Sequence, residues 1–413
     1  MYLKRIAGLL LFSFLAFSSL GQDYDLLIKN GHLIDPKNGI DTPMDLAIKD
    51  GKVAQVAANI PSGQAKQVID AKGLYVAPGL VDMHTHNFHG NTPNSNYSDG
   101  WNSVQPDGFT FRAGVTTVVD VGGAGWRNFE YFKKQTIDNS RTRVLAFLNI
   151  VGSGMKGNPI EQDQADMNAK LTAMKAKQYP GLIVGVKLAH YTGPEWLPVD
   201  RLVEAGKLAD IPVMVDFGGH EPELSMETLL LEKFRPGDIL THCYAHVDGR
   251  IPVVGDDGKL NSFALPAQER GIIFDVGHGG GSFRFDQAIP AIKQGLKPNS
   301  ISTDLHIGSM NGGMKDMLNV VSKFLNMGIT LPDAITMSTW NPAQYIKRTD
   351  LGHLSVGAVA DIAILDLLKG DFGFIDVTRK KMNGDQKLEC ELTLREGEVV
   401  WDLNGLASPN WDE

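Results

Sequence analysis

The sequence contains little cysteine, with two such residues among 413, which excludes both a disulfide-stapled scaffold and a cysteine-rich zinc module. It has no excess of positive charge: the net charge of −9 argues against sequence-independent binding to nucleic acid. Charged residues make up only 21% of the chain and hydrophobic residues 43%, so the disordered class is excluded as well. These deficits leave a folded chain long enough for one large domain and a smaller one. We expect Cys243 and Cys390 to be free, buried thiols.

The first 21 residues have the layout of a secretory signal peptide. Lys4 and Arg5 precede an apolar run that extends to Phe17, and Ser19 and Gly21 supply the small residues of a cleavage site. The run is shorter than a membrane-spanning helix requires. We therefore predict that residues 1–21 are removed and that the mature chain is exported across the inner membrane to the periplasm, without inserting into the membrane.

Both ends of the remaining chain are typical of short β-strands. The dipeptides Asn30-Gly31 and Asp50-Gly51 each follow a strand-like run, and both favour the positive φ that two-residue hairpin turns require. Residues 361–367 are also strand-like, and residues 394–401 resemble a closing hairpin. Neither end has enough residues for a core of its own. We predict one small β-sandwich built from residues 22–78 together with residues 346–413.

Between these ends, in residues 79–345, short apolar runs that end in a polar residue alternate with helical stretches. The spacing between successive run ends is 26 to 38 residues, which suits βα units; the ends are His84, Asp120, Asn149, Lys187, Asp216, His242, Asp275 and Asp304. Two of the helical stretches show an apolar stripe, at Met167, Leu171 and Met174, and at Met314, Met317, Leu318, Val321 and Leu325. Eight such units predict an α/β fold with a (β/α)8 TIM-like barrel. A doubly wound open sheet is the alternative, because periodicity does not establish closure.

Polar residues at the run ends form a candidate metal site, since catalytic groups of such barrels lie at the carboxyl ends of the strands. His84 and His86 lie on one face of their strand, within reach of one metal. Lys187 ends a buried run, where its amine must be paired, be modified or reach solvent. His242 and Asp304 end two further runs. Each residue alone is more typical of a cap or a satisfied polar group, but the set favours metal chemistry.

Six segments of the chain carry a family resemblance: Asp-Leu-Leu-Ile-Lys-Asn-Gly at 25–31, Ala-Pro-Gly-Leu-Val-Asp-Met-His-Thr-His at 77–86, Phe-Arg-Ala-Gly-Val-Thr-Thr at 111–117, Phe-Asp-Val-Gly-His-Gly at 274–279, Ile-Ser-Thr-Asp-Leu-His at 301–306 and Ser-Thr-Trp-Asn-Pro-Ala at 338–343. In these segments the chain resembles the amidohydrolase superfamily of metal-dependent hydrolases, and within it the dihydroorotase-like amidohydrolase and deacetylase branch. The resemblance covers essentially the whole mature chain.

The resemblance implies a composite β-sandwich with a distorted barrel and a centre of one or two divalent metals. It implies that His84 and His86 bind the more buried metal, and that Lys187 is carboxylated on its amine and bridges two metals. His242 is then a ligand of the second metal. Asp304 contacts the first metal and acts as general base and acid towards the nucleophilic water, and His278 lies beside the substrate. Zinc suits this mixed nitrogen and oxygen ligand set, and manganese, iron and cobalt are alternatives.

One position departs from the family pattern. The fifth run ends in Asp216, where the family usually places a histidine. Aspartate is a competent zinc ligand, so we expect Asp216 to bind the second metal, with His220 as the alternative ligand. The number of bound metals, one or two, stays open.

The expected reaction is hydrolysis of an amide or ester bond of a small molecule, such as an N-acyl amino acid or an acylated hydroxy acid, by a metal-activated hydroxide. Dihydroorotases carry an arginine shortly after the second histidine, whereas here Asn87-Phe88-His89-Gly90 follows, which weighs against dihydroorotase itself. The loop from His89 to Gln105, with Tyr97 and Trp101, either covers the site or is solvated. The alternatives are a cyclic amidohydrolase, hydantoinase-like or dihydroorotase-like, and a secreted binding protein with a degenerate metal site. Nothing in the sequence fixes the oligomeric state.

Overall fold

A computed structural model of the protein describes residues 22–93 and 96–412. The predicted signal peptide lies outside the described residues. The described strands are β1 (Tyr24–Asp35), β2 (Ile40–Lys49), β3 (Lys52–Ala57), β4 (Ala65–Asp70), β5 (Tyr75–Pro78), β6 (Leu80–Thr85), β7 (His89–Thr92), β8 (Val115–Gly125), β9 (Arg143–Asn149), β10 (Ile183–Leu188), β11 (Val213–Val215), β12 (Ile239–Leu240), β13 (Ile273–Phe274), β14 (Ile362–Ile375), β15 (Lys381–Arg395) and β16 (Glu398–Asp402).

The α-helices are α1 (Phe129–Gln135), α2 (Ala169–Gln178), α3 (Leu197–Ala209), α4 (Met226–Thr228), α5 (Ala264–Glu269), α6 (Phe285–Lys293), α7 (Ile307–Met310), α8 (Met317–Asn326), α9 (Leu331–Ser338) and α10 (Trp340–Tyr345). None of the helices in the described ranges is both long and apolar enough to cross a membrane. Most of them follow a strand of the central sheet, so the alternation predicted for the middle of the chain is present.

Strands from both ends of the chain form one continuous eight-stranded sheet. Its order is β16-β15-β14-β5-β1-β2-β3, with β4 paired to β1, and the two ends meet where β5 pairs antiparallel with β14. The expectation that both ends build one β unit therefore agrees with the hydrogen bonding. The structure shows a single sheet here, and the two-layered sandwich and its predicted boundaries stay predictions.

Alternate side chains along the strands of this sheet pack into two different hydrophobic cores. On β14, Ile362 and Ile364 pack in the core of the sheet itself, whereas Ala363 and Leu365 pack against the large core of the middle segment. Successive side chains of a strand point to opposite faces, so one strand can hold both cores together. The β unit is fixed to the rest of the chain in this way along β14.

One of the two predicted hairpin turns is wrong. Asp50 and Gly51, with φ of 50° and 70°, connect β2 to β3 as expected. Asn30 also has a positive φ, of 61°, but β1 continues through it, and the pairing with β2 shifts register between Ile28 and Gly31. The dipeptide forms a bulge instead of a turn. Its glycine is needed because a Cβ atom there would lie 2.5 Å from Cγ2 of Val76.

The middle of the chain is a parallel sheet that closes on itself. Seven strands follow the order β13-β12-β11-β10-β9-β8-β6, and every neighbouring pair is parallel. Residues 300–305, which we call the closing segment, bridge both edges: Ser300 pairs with Asp275 beyond β13, and Leu305 pairs with Thr85 of β6. The predicted open-sheet alternative is therefore excluded, and the eighth position of the barrel is occupied by the closing segment.

Apolar side chains fill the interior of the barrel. One buried cluster takes side chains from each of the seven strands: Val81, Met83, Val119, Val121, Leu145, Phe147, Val184, Met214, Ile239 and Ile273. Such layers make the barrel a packed core and not a pore. The polar residues at the carboxyl ends of the strands therefore lie above an apolar base that excludes water from one side.

The predicted helical stripes are correct for α8 and wrong for α2, although Met167, just before α2, is buried as predicted. On α8 the predicted residues Met317, Leu318, Val321 and Leu325 are all buried. On α2, Leu171 and Met174 are exposed, at 37% and 60%, and the buried face consists of Ala169, Thr172, Ala173 and Ala176. The small side chains of the buried face allow α2 to lie close to its neighbours. Hydrophobicity alone would have predicted that the face with Leu171 and Met174 is buried.

A buried ion-pair network joins the barrel to the β unit and yields a first prediction. Asp361 accepts hydrogen bonds from Arg143 of β9 and from Arg395 of β15. Replacing Asp361 with Asn leaves two largely buried guanidinium groups with only the exposed Glu396 as their anion. We therefore expect the free energy of unfolding to fall by about 2 kcal/mol in urea denaturation.

The control is Asp257→Asn, which removes the carboxylate of a pair whose Lys259 and Asp257 side chains are 78% and 64% exposed. We expect that change to stay within about 0.5 kcal/mol. Equal losses for the two variants would contradict the linking role of Asp361.

Candidate metal centre

A polar cavity of about 390 Å³ opens at the carboxyl ends of the barrel strands. Its lining includes most of the predicted site residues, and within the described residues the lining is His86, Tyr97, Met155, Lys187, His190, Asp216, His242, Gly280, Gly281, Ser282, Asp304, His306 and Gly308. This is the end of a barrel at which the loops of different strands bring distant residues together. We therefore take the cavity as the candidate site.

His84 lies at the base of this site and is held in one orientation. The pairing of β6 with β8 shifts register between Asp82 and Thr85, so a bulge lies beside His84. Nδ1 of His84 lies 2.7 Å from Oγ1 of Thr241, whose hydroxyl donates to Asp275 at 2.8 Å. Because the hydroxyl hydrogen is used on Asp275, the imidazole must donate from Nδ1. Its Nε2 atom then presents a lone pair to the site.

His242 and Asp216 form a second pair. Nδ1 of His242 donates to the carbonyl oxygen of Gly277 at 2.5 Å, which leaves Nε2 free to face Oδ2 of Asp216 at 3.3 Å. The backbone amide of Asp216 continues the ladder of β11 by donating to Leu188 at 3.0 Å. Burial opposes the charged imidazolium, but the charge of Asp216 outweighs it and raises the pKa of His242.

Asp304 connects the closing segment to His84 of β6 and to His86 just after that strand. Its Oδ1 lies 2.9 Å from Nε2 of His86 and 3.5 Å from Nε2 of His84. Burial favours the neutral acid, but the fields of His306 and His86 and the hydrogen bond of His86 outweigh it and lower the pKa of Asp304 to about 2. The carboxylate is therefore ionised at neutral pH. A Cβ atom on Gly279 would lie 2.5 Å from Oδ2 of Asp304, so glycine is required there.

Lys187 is buried near the end of β10, where its amine forms no ion pair with a carboxylate of the described residues. The residue is 1% exposed, and its amine contacts Nε2 of His84 at 3.5 Å and Sδ of Met214 at 3.6 Å. Burial disfavours the ammonium form and lowers the pKa of Lys187. The buried amine therefore still needs a partner or a modification, as the sequence predicted.

Three functional-site candidates escaped the sequence analysis: His190, Glu161 and His306. Nε2 of His190 lies 3.6 Å from Oδ2 of Asp216, and its Nδ1 lies 2.7 Å from Oε2 of the buried Glu161. His306 faces Oδ2 of Asp304 at 3.8 Å, and its Nδ1 accepts the amide hydrogen of Gly308. His306 was visible in the motif at 301–306, but neither His190 nor Glu161 follows a family motif or ends a strand.

The loop after β7 contributes Tyr97 to the cavity, which agrees with the first of the two alternatives left open for it, a loop that covers the site. The ring of Tyr97 lies 4.5 Å from that of His86 and 5.3 Å from that of His306. Trp101 is 55% exposed and is not among the lining residues named above. The loop therefore covers one side of the cavity with a single aromatic ring.

Two of the predicted residues lie apart from the others. His278 is fully buried: Nζ of Lys323 lies 2.7 Å from its Nε2, and its ring stacks on Phe283 at 4.6 Å. His220 is also buried, and it packs on Phe217 at 4.4 Å with an Nδ1 atom that has no hydrogen-bond partner. Neither side chain lines the cavity, so substrate contact by His278 and metal ligation by His220 stay predictions.

The donor set fits a divalent cation. Ligating atoms of His84, His242 and Asp304 all lie within 4.8 Å of one another. In both of these histidines a second partner holds Nδ1 and directs Nε2 into the site, which is the arrangement that metal-binding imidazoles need. Asp304 and His242 also have φ of 52°, a conformation that costs free energy for residues other than glycine and that occurs in this chain at turns such as Asp50 as well.

Comparison with known proteins agrees with the amidohydrolase resemblance of the sequence motifs. Two models of the amidohydrolase family match residues 284–400 and 67–140. A deacetylase of Brucella anthropi is 34% identical over 353 residues, which cover 84% of this chain and 83% of that protein. A solved structure of an adenine deaminase superposes with a TM-score of 0.83 at 29% identity, covering 92% of this chain and 100% of the other. A solved dihydroorotase has a TM-score of 0.78 at 30% identity, covering 91% and 99%.

The buried pair of Lys323 and His278 generates a second prediction. Burial lowers the pKa of Lys323 to about 7, whereas an unfolded lysine titrates near 10.4. Between these pH values the unfolded state binds the extra proton, so the free energy of unfolding rises as the pH increases. Relative to Lys323→Met, we expect the wild type to gain up to about 4 kcal/mol between pH 7 and pH 10 in urea denaturation.

The Lys323→Met variant serves as the reference, because the other titrating groups contribute equally to both proteins and cancel in the difference. Parallel stability curves for the two proteins over this pH range would show that Lys323 keeps its proton in the folded state.

Proposed function

The chain belongs to the amidohydrolase family, as its motifs predicted, and from that premise we propose that it removes the acyl group from a small N-acylated amino acid or acylated hydroxy acid. The family makes it a hydrolase of carbon–nitrogen bonds other than peptide bonds. The choice of an acyl substrate, and the extension to esters, are our proposal. The convergence of His84, His242 and Asp304 beside the buried Lys187 is the observation that carries it.

We propose that His84, His86 and Asp304 hold one divalent metal, and that Lys187, Asp216 and His242 hold a second. When bound, such cations lower the pKa of a coordinated water and polarise the scissile carbonyl group. Zinc suits the ligand set best, with manganese, iron and cobalt as alternatives.

Asp304 is the residue we assign to proton transfer. It is ionised at neutral pH and its Oδ2 atom faces the cavity beside His306. In the proposed reaction Asp304 takes the proton that the attacking water loses, and it then returns that proton to the leaving nitrogen or oxygen. The carbon–nitrogen or carbon–oxygen bond breaks, and a carboxylic acid and an amine or alcohol are released.

Lys187 is proposed to be carboxylated. Its burial outweighs the charges of Asp216 and Asp304 and favours a neutral amine, which can attack carbon dioxide. The Nζ–C bond forms as one C–O π bond of carbon dioxide breaks, one proton leaves the nitrogen for solvent, and the neutral amine becomes an anionic carbamate. This change supplies two oxygen ligands and removes the cost of a buried, unpaired ammonium group.

His306 and Tyr97 are proposed to orient the substrate. Because Nδ1 of His306 accepts the Gly308 amide hydrogen, its Nε2 atom carries a hydrogen and acts as a donor within the cavity. Burial lowers the pKa of His306, so this donor is neutral. Tyr97 adds an apolar ring face beside it. Together they suit a small polar group carried by a compact organic substrate.

A cyclic amide is the second candidate substrate, supported by the similarity to the solved dihydroorotase. No arginine lines the cavity within the described ranges, so the carboxylate-binding group expected of dihydroorotase itself is missing there. We therefore favour the acyl substrate. We also propose that the protein acts in the periplasm, which rests on the layout of residues 1–21.

A third prediction tests the substrate class. With zinc or manganese and bicarbonate supplied, we expect acetate release from one or more members of a panel of N-acetyl D- and L-amino acids and O-acetyl hydroxy acids. Ring opening of hydantoins or dihydropyrimidines without acetate release would support the cyclic candidate instead. Ligand binding without turnover under any metal would support the binding-protein alternative and contradict the proposal.

A fourth prediction tests the role of Asp304. Replacing Asp304 with Asn removes the proton acceptor, so we expect kcat to fall by about 10³-fold while the protein still folds. Asp286→Asn, which changes a carboxylate paired with Arg284 outside the cavity, is the control and should retain wild-type kcat. Substantial turnover by the Asp304 variant would assign the proton transfer to another group.

A further inference from the structure

The position that departs from the family pattern, Asp216, is flanked by two imidazoles. Nε2 of His242 lies 3.3 Å from its Oδ2 atom, and Nε2 of His190 lies 3.6 Å from the same oxygen. A separation of 3.6 Å is too long for a hydrogen bond. Donor atoms bound tetrahedrally at 2.0 to 2.2 Å lie roughly 3.3 to 3.6 Å apart, so each imidazole is at a suitable distance from Asp216 for neighbouring ligands of one zinc ion. The two imidazoles must approach each other when the ion binds, because the three residues do not form a group within 4.8 Å among the described residues.

His190 reaches this place through an unfavourable backbone conformation. It follows the end of β10 two residues after Leu188, and its φ is 56°. A non-glycine residue in this region costs free energy and is retained where the surrounding structure requires the side chain in that direction. His190 shares this property with the proposed ligands His242 and Asp304, both at 52°.

Glu161 fixes the orientation and the tautomer of His190. The residue is 1% exposed, and it lies in the connection between β9 and α2. Its Oε1 atom accepts the amide hydrogen of Gly157 at 2.6 Å, and its Oε2 atom accepts from Nδ1 of His190 at 2.7 Å. With Nδ1 donating to Glu161, the lone pair of Nε2 faces the cavity, as in the carboxylate–histidine–metal arrangement.

We propose that His190, oriented by Glu161, is a ligand of the second metal together with Asp216 and His242, and that it replaces the imidazole missing at position 216. This inference rests on the proposed metal-dependent function. Glu161 is a positioning residue, since it acts on the metal only through His190. The second site then keeps two imidazoles, although one of them comes from a different strand end.

The test is metal stoichiometry of the full chain, measured by elemental mass spectrometry after loading with Zn²⁺ in bicarbonate. We expect about two zinc ions per wild-type chain and about one in His190→Gly. Glycine suits a φ of 56°, so this variant loses the imidazole without backbone strain and should fold at least as well. Added imidazole should restore the second zinc ion in His190→Gly, a rescue that a purely structural role would not produce.

Glu161→Gln is the second variant, and it should weaken the affinity for the second zinc ion by roughly 10- to 100-fold while the first stays bound. His32→Asn is the matched control, because His32 pairs with Asp41 at 2.6 Å on β1, outside the cavity. Two tightly bound zinc ions in His190→Gly would overturn the inference. One zinc ion in both wild type and His190→Gly would also overturn it and leave a mononuclear hydrolase. No zinc in the wild type would overturn the proposed function itself.

Discussion

Closure of the barrel by residues 300–305 is the constraint on which the site depends. The segment is bonded to the chain beyond β13 on one side and to β6 on the other, where the amide of Asp304 donates to the carbonyl oxygen of His84 at 2.7 Å. This bond sets the only carboxylate of the closing segment against His84 and His86, at the end of β6. In an open sheet the first and last strands would lie at opposite edges, and these groups would not meet.

The same closure brings several imidazoles and carboxylates close together, and the imidazoles are held by hydrogen-bond partners outside the cavity. Imidazole nitrogens and carboxylate oxygens are crowded into a buried space, where unpaired polar groups are costly. The partners of Nδ1 on His84, His242 and His190 are a threonine hydroxyl, a backbone carbonyl and a buried carboxylate. Each leaves a lone pair that can be directed towards the centre, which is the arrangement that a bound cation would stabilise.

The β unit and the barrel are not independent bodies in this fold. Alternate residues of β14 enter two different cores, and Asp361 binds arginines of both parts. Residues far apart in the sequence therefore support one another. This arrangement leaves the strand ends on the other side free to carry the polar residues of the site, which contribute little to the hydrophobic cores.

Sequence alone determined the βα pattern, because that pattern depends on local periodicity, and it determined the family through the motifs. It also selected His84, His86, Lys187, His242 and Asp304, which lie together in the structure and whose roles as ligands stay predictions. It also placed the free, buried thiols Cys243 and Cys390 correctly. It could not decide closure, the bulge at Asn30-Gly31, the small-residue face of α2, or the buried position of His278. Nor could it find His190 and Glu161, which are 29 residues apart and carry no motif. Those features depend on which surfaces meet in three dimensions, and only the tertiary structure brings a loop carboxylate, a strained histidine and a strand-end aspartate to one point.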